Sequence, residues 1–594
     1  MDDQVTVHLN PPHPNPLPEG EGVDGSLPAH LSISRRDEAH PPAAGRRWNS
    51  DWLIWLALLV TVAGPFLLAG QDSGAALHYD RRLVILTPHH ERIRQEIGNA
   101  FVEDWRERTG ETVYLDWRTP GGSSEITLFL KSEFAGAFEY HWVNHLRRRW
   151  SQPLARAFAD PRTTPDRSSP AEWEARQAFL ASNVGVGVDL LFGGGSYDFQ
   201  QQADAGYLVA GGAGIGLLSL RDRHPDWFTP AIYPEAVGGE PFRDRENRWM
   251  GVELATFGIV YNRDVLRRLG IDREPEQWVD LADTRLAGQV AMSDPTKSGS
   301  VAKAFELIIQ QQMQQAVSRH LAAYVEAGAA EAAGIREGWR EGLKLIQRMS
   351  ANARYFTDSA AKIPLEVARA DAAAGMAIES YGKATEEFVR RPDGQSRVGF
   401  VAPLGGTSLS VDPIALLRGA PEPRLATEFM EFVLSPRGQK LWAFRPGTPD
   451  GPVSTALRRL PVRRDFYSDA NRPWMTEPDT QPYVQAGRFV YHPHWTAPLY
   501  GAIRFLIRVM CVETHPEQRQ AWRALIDRGM PAAALAAFHD LSGFDHDDVQ
   551  RRIVPILQGK DKLGEVRLAR ELSAAFRQRY ERARRLALDG KAGS

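Results

Sequence analysis

The sequence predicts a protein of the α/β class, because buried strands alternate with amphipathic helices along most of the chain. Residues 82–87 form an apolar strand, and Pro88 separates it from a helix whose apolar face includes Ile93 and Trp105. A second strand follows at 113–117. Such short connections imply parallel strands with right-handed crossovers, and ligands of these sheets bind at the carboxyl ends of the strands.

Loops rich in Gly and Ser follow several strands and come directly before predicted helices. They lie at 120–124, at 193–196 after the strand 188–192, and at 298–300 after the strand 289–292. Backbone N–H groups and Ser hydroxyls at a helix start can bind an anion, although Ser is also a common helix cap. The candidate ligand-binding residues are His89 after the first strand, Tyr381 after the strand 376–379, and the loop serines Ser123, Ser124, Ser196, Ser298 and Ser300.

Composition and missing motifs exclude several classes of function. The 594 residues include 71 basic and 74 acidic side chains, for a formal charge of −3, so we expect no nucleic-acid partner. The single cysteine, Cys511, rules out an internal disulfide and multi-cysteine metal centres. No phosphate-binding Gly-Lys-Ser/Thr loop and no Gly-x-Ser-x-Gly nucleophile elbow occurs. We therefore expect no catalytic residues, no metal, no cofactor and no enzymatic activity.

The N-terminus predicts a tail followed by a membrane segment. Residues 1–48 are rich in Pro and Gly, which predicts a disordered cytoplasmic tail. Residues 52–70 carry no charge and are long enough to span a bilayer, so 49–71 is a transmembrane anchor or a cleaved signal segment. Arg46 and Arg47 precede it and favour an N-terminus held in the cytoplasm. The rest of the chain is then expected outside.

Eight ordered blocks of sequence carry a family resemblance. The strongest are 405–417 (GGTSLSVDPIALL) and 426–439 (ATEFMEFVLSPRGQ); the others are 83–89 (LVILTPH), 121–125 (GGSSE), 189–195 (DLLFGGG), 249–251 (WMG), 258–262 (GIVYN) and 294–300 (DPTKSGS). Together they resemble the solute-binding proteins of ABC importers, in the group often called the ferric-iron type. The resemblance covers about residues 83–445.

The resemblance implies a two-lobed fold like that of periplasmic binding proteins, with crossing strands as the hinge. Lobe one is then expected at 80–257 plus 405–445, lobe two at 258–404, and a helical C-terminal extension at 446–594. It also implies that a small solute, which we expect to be anionic, binds between the lobes by hinge closure. The expected partners are an ABC permease with its ATPase subunit. The expected location is the periplasmic face of the bacterial inner membrane, if the protein is anchored, or the periplasm.

Two other functions stay open from the sequence. One is ferric-iron transport, for which Tyr261 and Tyr381 are isolated candidates in a chain that has no Tyr-Tyr pair. The other is a ligand-binding receptor for a membrane signalling partner. Two segments depart from the family pattern: residues 133–182 predict a polar insertion in lobe one, and within the C-terminal extension 565–586 predicts an exposed helix.

Overall fold

The computed structural model describes residues 79–323, 326–559 and 561–589. The predicted tail at 1–48 and the predicted membrane segment at 49–71 lie outside the described residues. The described residues, from Tyr79 onwards, form one compact unit.

Strands and helices alternate as the sequence predicts, which confirms the α/β class. The strands are β1 (Arg81–Leu86), β2 (Val113–Arg118), β3 (Leu190–Phe192), β4 (Leu208–Val209), β5 (Ala236–Val237), β6 (Glu240–Pro241), β7 (Met250–Ala255), β8 (Phe257–Asn262), β9 (Val290–Ser293), β10 (Ala353–Thr357), β11 (Ala374–Ile378), β12 (Val398–Val401), β13 (Ser410–Leu417) and β14 (Leu460–Pro461).

The strands form two large sheets that share no strand. The first sheet has the order β14-β7-β13-β3-β1-β2, with β4 also beside β13, and the second has the order β10-β9-β11-β8-β12. In the first sheet β1 runs parallel to β2 and β3, and in the second β9 runs parallel to β10 and β11. Strands β5 and β6 form a separate hairpin.

The chain passes between the two sheets at two places. Strand β7 of the first sheet ends at Ala255, and β8 of the second begins at Phe257, so Thr256 alone connects them. The return runs from the end of β12 at Val401 to the start of β13 at Ser410. At these two crossings, any movement of one sheet against the other depends on these short connections.

Helices cover both sheets. They are α1 (Glu91–Thr109), α2 (Ser123–Tyr140), α3 (Gln152–Ala157), α4 (Pro170–Ala181), α5 (Ser196–Ala205), α6 (Gly216–Arg223), α7 (Arg263–Arg268), α8 (Gly299–Ala323), α9 (Ala327–Ala351), α10 (Lys362–Ala368), α11 (Glu379–Phe388), α12 (Pro423–Leu434), α13 (Pro436–Ala443), α14 (Pro482–Gln485), α15 (Pro493–Thr496), α16 (Tyr500–Ile507), α17 (His515–Asp527), α18 (Ala532–Phe538), α19 (His546–Asp548), α20 (Val554–Gln558) and α21 (Lys562–Asp589).

The segment predicted as a polar insertion, 133–182, is built into the core of the first sheet. Phe134, Phe138, Phe158 and Phe179 are buried there, and their rings pack edge to face or stacked at centroid distances of 4.9–6.0 Å. Aromatic pairs at these distances stabilise a core beyond their buried area. The helices α3 and α4 of this segment are therefore structural parts of the core of the first sheet.

The C-terminal extension is helical, as predicted, and it joins both cores. Leu457 and Leu460 pack into the core of the first sheet, whereas most buried residues from Phe489 onwards pack into the core of the second. The helix expected to be exposed, α21, buries Phe576 and Tyr580. Its apolar residues recur every four positions, so one face of the helix is covered.

Among the described residues, one helical stretch is long and apolar enough to cross a membrane. This stretch is Pro493–Val512, with a mean hydropathy of 1.2, and 67% of it is buried inside the protein. A core helix passes the same test of length and composition, and the burial of this stretch is that of a core helix.

Candidate functional site

Helix starts from the two sheets meet in the space between them. Ser123 begins α2 beside the first sheet, and Gly299 begins α8 beside the second. A Cβ built on Gly299 would lie 3.8 Å from Ser123 Oγ and 3.3 Å from Asp198 Oδ2 of α5. The two helix starts are therefore so close that a methyl group added to Gly299 would touch Ser123 and Asp198. We call Ser123, Ser124, Asp198, Gly299 and Arg504 the helix-start cluster.

The glycine run before α5 lets other groups come close to the backbone. Gly193 and Gly194 have φ values of 89° and 114°, which residues with a side chain rarely adopt. A Cβ on Gly193 would lie only 2.3 Å from His89 Nε2, and one on Gly194 would lie 3.2 Å from Ser123 Oγ. The run is thus required by the fold at this point, whatever the site binds.

Arg504 of α16, in the C-terminal extension, supplies the positive charge of the helix-start cluster. Its Nη2 donates to Ser124 Oγ at 3.0 Å and to the carbonyl of Thr296 at 2.9 Å, and its Nε donates to the carbonyl of Pro295 at 2.8 Å. One guanidinium therefore binds α2 of the first sheet and the loop before α8 of the second. Charge-assisted hydrogen bonds of this kind are about twice as strong as neutral ones.

Asp198 is the acid of the cluster. Burial raises its pKa to about 6, although Arg504 and the hydrogen bond from Ser123 act in the opposite direction. The neighbouring Tyr197 packs its ring 4.3 Å from that of Tyr500 on α16, and burial raises the pKa of Tyr197 to about 12. Both tyrosines stay neutral, whereas the charge of Asp198 changes near pH 6.

The predicted serines have different roles. Ser298 Oγ accepts a hydrogen bond from the N–H of Val301 at 3.4 Å, which is a capping contact. Ser124 accepts from Arg504, and Ser123 bonds to Asp198. Ser196 and Ser300 lie half-buried in the first turns of α5 and α8. All five therefore lie at helix starts, and the contacts of Ser123 and Ser124 lie within the cluster.

His89 and Tyr381 belong to a second group of charged residues, which we call the hinge-side cluster. Glu253 on β7 and Asp412 on β13 are register partners, and Arg459 Nη1 lies 3.3 Å and 3.5 Å from their carboxylates. His89 Nε2 lies 4.0 Å from Glu253, and the Arg459 guanidinium lies 5.6 Å from the Tyr381 ring centroid. Four of the seven predicted site residues thus lie in two separate clusters, Ser123 and Ser124 in one and His89 and Tyr381 in the other.

Burial controls the charges of the hinge-side cluster. It raises the pKa of Glu253 well above its usual range and raises that of Asp412, while Arg459 acts to lower both. Burial also lowers the pKa of His89 well below its usual range, and the Arg459 charge adds to this effect. His89 is therefore neutral, and the two carboxyl groups compete for one guanidinium.

His89, Glu253 and Asp412 also have the residue types and spacing of a metal site. One ligand atom from each lies within 4.8 Å of the other two. His89 Nε2 and the Glu253 carboxylate have no hydrogen-bond partner among the described residues. Arg459, however, is already the cation that faces the carboxylates of Glu253 and Asp412. A metal ion here would be repelled by the guanidinium, so Arg459 would have to move away first.

A buried ion bridge connects the β5-β6 hairpin with α8 of the second sheet. Lys303 on α8 binds Glu240 of the β5-β6 hairpin at 2.9 Å and Glu306 at 3.0 Å, and its ammonium lies 3.5 Å from the Tyr491 ring centroid. Burial raises the pKa of Glu240, and the charge of Lys303 acts to lower it. Both carboxylates are about 1% exposed, so this lysine is their necessary counter-charge.

A cavity of about 440 Å³ lies beside the two crossings, a volume in the usual range for small-molecule sites. Thr256 and the return segment from Phe400 to Leu409 line it, together with Lys383 and Arg488. None of the seven predicted site residues is among its lining residues. The cavity is therefore a separate space from the helix-start cluster.

Sequence reasoning missed Asp198 and Arg504. Asp198 lies two residues after Ser196, in the first turn of a helix whose starting loop the sequence did identify. Arg504 is the single charged residue in the apolar segment 497–507. A lone charge in an otherwise apolar helix is a signal for a specific partner, because burying it unpaired is costly.

Comparison with known proteins supports the predicted resemblance. Residues 227–466, less than half of the chain, match the family described as bacterial extracellular solute-binding protein. An uncharacterised protein of Haemophilus influenzae is 24% identical over 255 residues, which cover 43% of this chain. The match spans 60% of the length of that relative. The family resemblance predicted from the sequence is confirmed by the family match.

Solved structures of periplasmic binding proteins are also similar at low identity. AfuA of Actinobacillus pleuropneumoniae with fructose-6-phosphate is 17% identical with a TM-score of 0.39, over 61% of this chain and 81% of that one. Iron-bound HitA of Pseudomonas aeruginosa is 14% identical with a TM-score of 0.42, over 71% and 98%. PotD of Streptococcus pneumoniae is 13% identical with a TM-score of 0.41, over 71% and 97%.

Proposed function

Residues 227–466 make this chain a relative of the bacterial extracellular solute-binding proteins, and on that premise we propose that it serves an ABC importer. It binds a small anionic solute between the two sheets by hinge closure and delivers it to a permease, whose ATPase subunit is another chain. The protein itself breaks no bond. Its place is the periplasm, as for the extracellular family that it resembles.

The observation that carries this proposal is the helix-start cluster. Helix starts from both sheets, at Ser123 and Gly299, lie close together, and Arg504 binds both sides. Backbone N–H groups at the helix starts, the helix dipoles and a guanidinium favour an anion. Asp198 opposes them, because its carboxylate repels an anion above about pH 6. A solute bound here would contact both sheets, so the closed state would gain contacts that an open state lacks.

Ferric-iron transport is less well supported by the charges. Fe³⁺ needs several anionic oxygen ligands, and the described carboxylates nearest to His89 and Tyr381 already face Arg459. Tyr261 donates its hydroxyl to Glu274, in another part of the second sheet. We therefore propose an anionic solute. A signalling receptor would bind its ligand in the same way and would differ only in the membrane partner that detects closure.

Replacing Ser124 and Ser300 by Ala should weaken solute binding while leaving the fold intact, because Ser124 Oγ accepts from Arg504 and keeps its own O–H for the solute. Each lost hydrogen bond to a charged acceptor is worth about 1.5–3 kcal/mol, which corresponds to roughly ten-fold or more in affinity. The solute is first identified by mass spectrometry of the molecule released from purified protein. Calorimetric titration with that compound then measures the affinity of each variant.

Ser298→Ala is the matched control, because this hydroxyl caps the N–H of Val301. It should lower stability by about 1 kcal/mol and keep the affinity. Unchanged affinity in the Ser124→Ala/Ser300→Ala variant would remove the helix starts from the site. The cavity beside Thr256 and Lys383 would then be the place to test next.

We also propose that residues 52–70 anchor the protein, with everything after about residue 71 outside the cytoplasm. Protease added to spheroplasts should then digest the folded body and spare a cytoplasmic control protein. A body that survives in intact spheroplasts, but is digested after detergent treatment, would show that the orientation is wrong.

A further inference from the structure

Residues 489–512 of the C-terminal extension run along the space between the sheets and contact both, and we call this segment the strap. It contains α15 and α16, and its aromatic residues Phe489, Tyr491, Trp495 and Tyr500 are buried. The strap is a third link between the sheets, in addition to the two strand crossings. It differs from those crossings because side-chain contacts and a backbone hydrogen bond to a hairpin turn hold it, not strand pairing.

On the side of the first sheet, the strap contacts the β5-β6 hairpin, α5 and α2. The N–H of Tyr491 donates to the carbonyl of Gly238 at 2.7 Å, in the tight turn of the β5-β6 hairpin. A Cβ on Gly239 would lie 1.8 Å from the carbonyl oxygen of Tyr491, so the turn fits the strap without room for a side chain. Tyr500 packs on Tyr197, and Arg504 binds Ser124.

On the side of the second sheet, the strap binds the loop before α8 and the helix itself. The Tyr500 hydroxyl donates to the carbonyl of Gly299 at 3.1 Å, and Arg504 donates to Pro295 and Thr296. Further along α8, Tyr491 and Thr496 donate to Glu306 at 2.9 Å and 2.6 Å. The strap therefore binds residues at the helix starts of both sheets.

We propose that the strap is an intramolecular latch, which holds the two sheets closed when no solute is present. Separating the sheets breaks the Arg504 contacts on one side or the other, because Ser124 lies on the first and Thr296 on the second. Opening of the cleft therefore requires release of the strap. The C-terminal extension is then the part of the chain through which opening is controlled.

A disulfide can report closure directly. A Cβ on Gly299 would lie 3.8 Å from Ser123 Cβ, which is the usual Cβ separation in a disulfide. The chain's own cysteine, Cys511, is buried, and burial raises the pKa of its thiol to about 12, so it should stay inert. In the full-length Ser123→Cys/Gly299→Cys protein, the rate of cross-linking by a mild oxidant, without added solute, measures how often the sheets are closed.

Adding Arg504→Gln to this reporter should slow cross-linking by roughly ten-fold, and small-angle scattering of the uncross-linked protein should show a larger radius of gyration. Arg508→Gln is the matched control in the next turn. Its guanidinium binds Glu513 at 3.0 Å and lies 5.2 Å from the Phe505 ring, so it does not link the sheets. This control should cross-link at the rate of the reporter alone.

Equal cross-linking rates for Arg504→Gln and Arg508→Gln would overturn the latch. Circular dichroism checks that each variant folds, and if Arg504→Gln does not, Tyr500→Phe removes the bond to Gly299 and gives the same comparison. No solute takes part in this measurement. The latch can therefore fail while the proposed solute binding stands, and the reverse also holds.

Discussion

Replacing Asp198 by Asn is expected to stabilise the protein at pH 8 and to change its stability little at pH 4. Burial raises the pKa of Asp198 from its ordinary value to about 6, so the folded state binds this proton more tightly than the unfolded state. The group's contribution to stability is therefore fully favourable below about pH 4 and is lost as pH rises through 6. Asn imitates the protonated acid, and the gain at pH 8 should reach about 2–3 kcal/mol.

Urea unfolding at pH 4, 6 and 8 measures this difference. Asp204→Asn is the matched control, because Asp204 lies in the last turn of the same helix, is 43% exposed and lies 3.6 Å from Arg248. Its substitution should not stabilise the protein at pH 8. If Asp198→Asn is less stable than the parent protein at pH 8, the carboxylate is needed in its charged form beside Arg504.

Most strands near the site could be predicted from the sequence, because local pattern specifies them. The predicted strand 82–87 is Arg81–Leu86 in the structure, and 289–292 is Val290–Ser293. Both are continuous apolar runs that end at Pro or at a polar loop, which is typical of buried parallel strands. The serine-bearing helix starts follow from the same pattern, since Ser123 and Ser196 begin α2 and α5.

The composition of the site could not be predicted in the same way, because it depends on contacts far apart in the chain. Arg504 binds Ser124 across 380 residues, and no periodicity in either segment encodes that pairing. The prediction that α21 is exposed was wrong. It rested on the high content of Arg and Glu in this helix. The apolar stripe at Leu568, Leu572 and Phe576 was the informative feature, and these residues are buried.

The domain boundaries and the binding residues stay predictions. The two clusters show why the binding residues are hard to predict. His89 and Ser123 both follow strands of one sheet, and loop position alone assigns them to one site. In the structure His89 packs 4.6 Å from Phe192 and faces Glu253, whereas Ser123 faces Asp198. The direction of a side chain from a loop is set by packing, which the sequence pattern does not contain.

Replacing Lys303 by Met is expected to cause the largest loss of stability among these variants, about 3–5 kcal/mol at pH 8. The substitution leaves Glu240 and Glu306 buried without their counter-charge. Lys303 lowers the pKa of Glu240 in the parent protein, so this pKa should rise further in the variant. The carboxyl group can then take up a proton, and the loss should be smaller at pH 5 than at pH 8.

Two further variants make this result specific. Lys344→Met removes a lysine that is 32% exposed and pairs with Glu341, and it should cost less than about 1 kcal/mol. Adding Glu240→Gln to Lys303→Met should recover part of the loss, since one uncompensated charge is removed. Urea unfolding at pH 5 and 8 measures all of them. A Lys303→Met protein as stable as Lys344→Met would mean that water reaches the two carboxylates, and that this bridge does not hold the β5-β6 hairpin against α8.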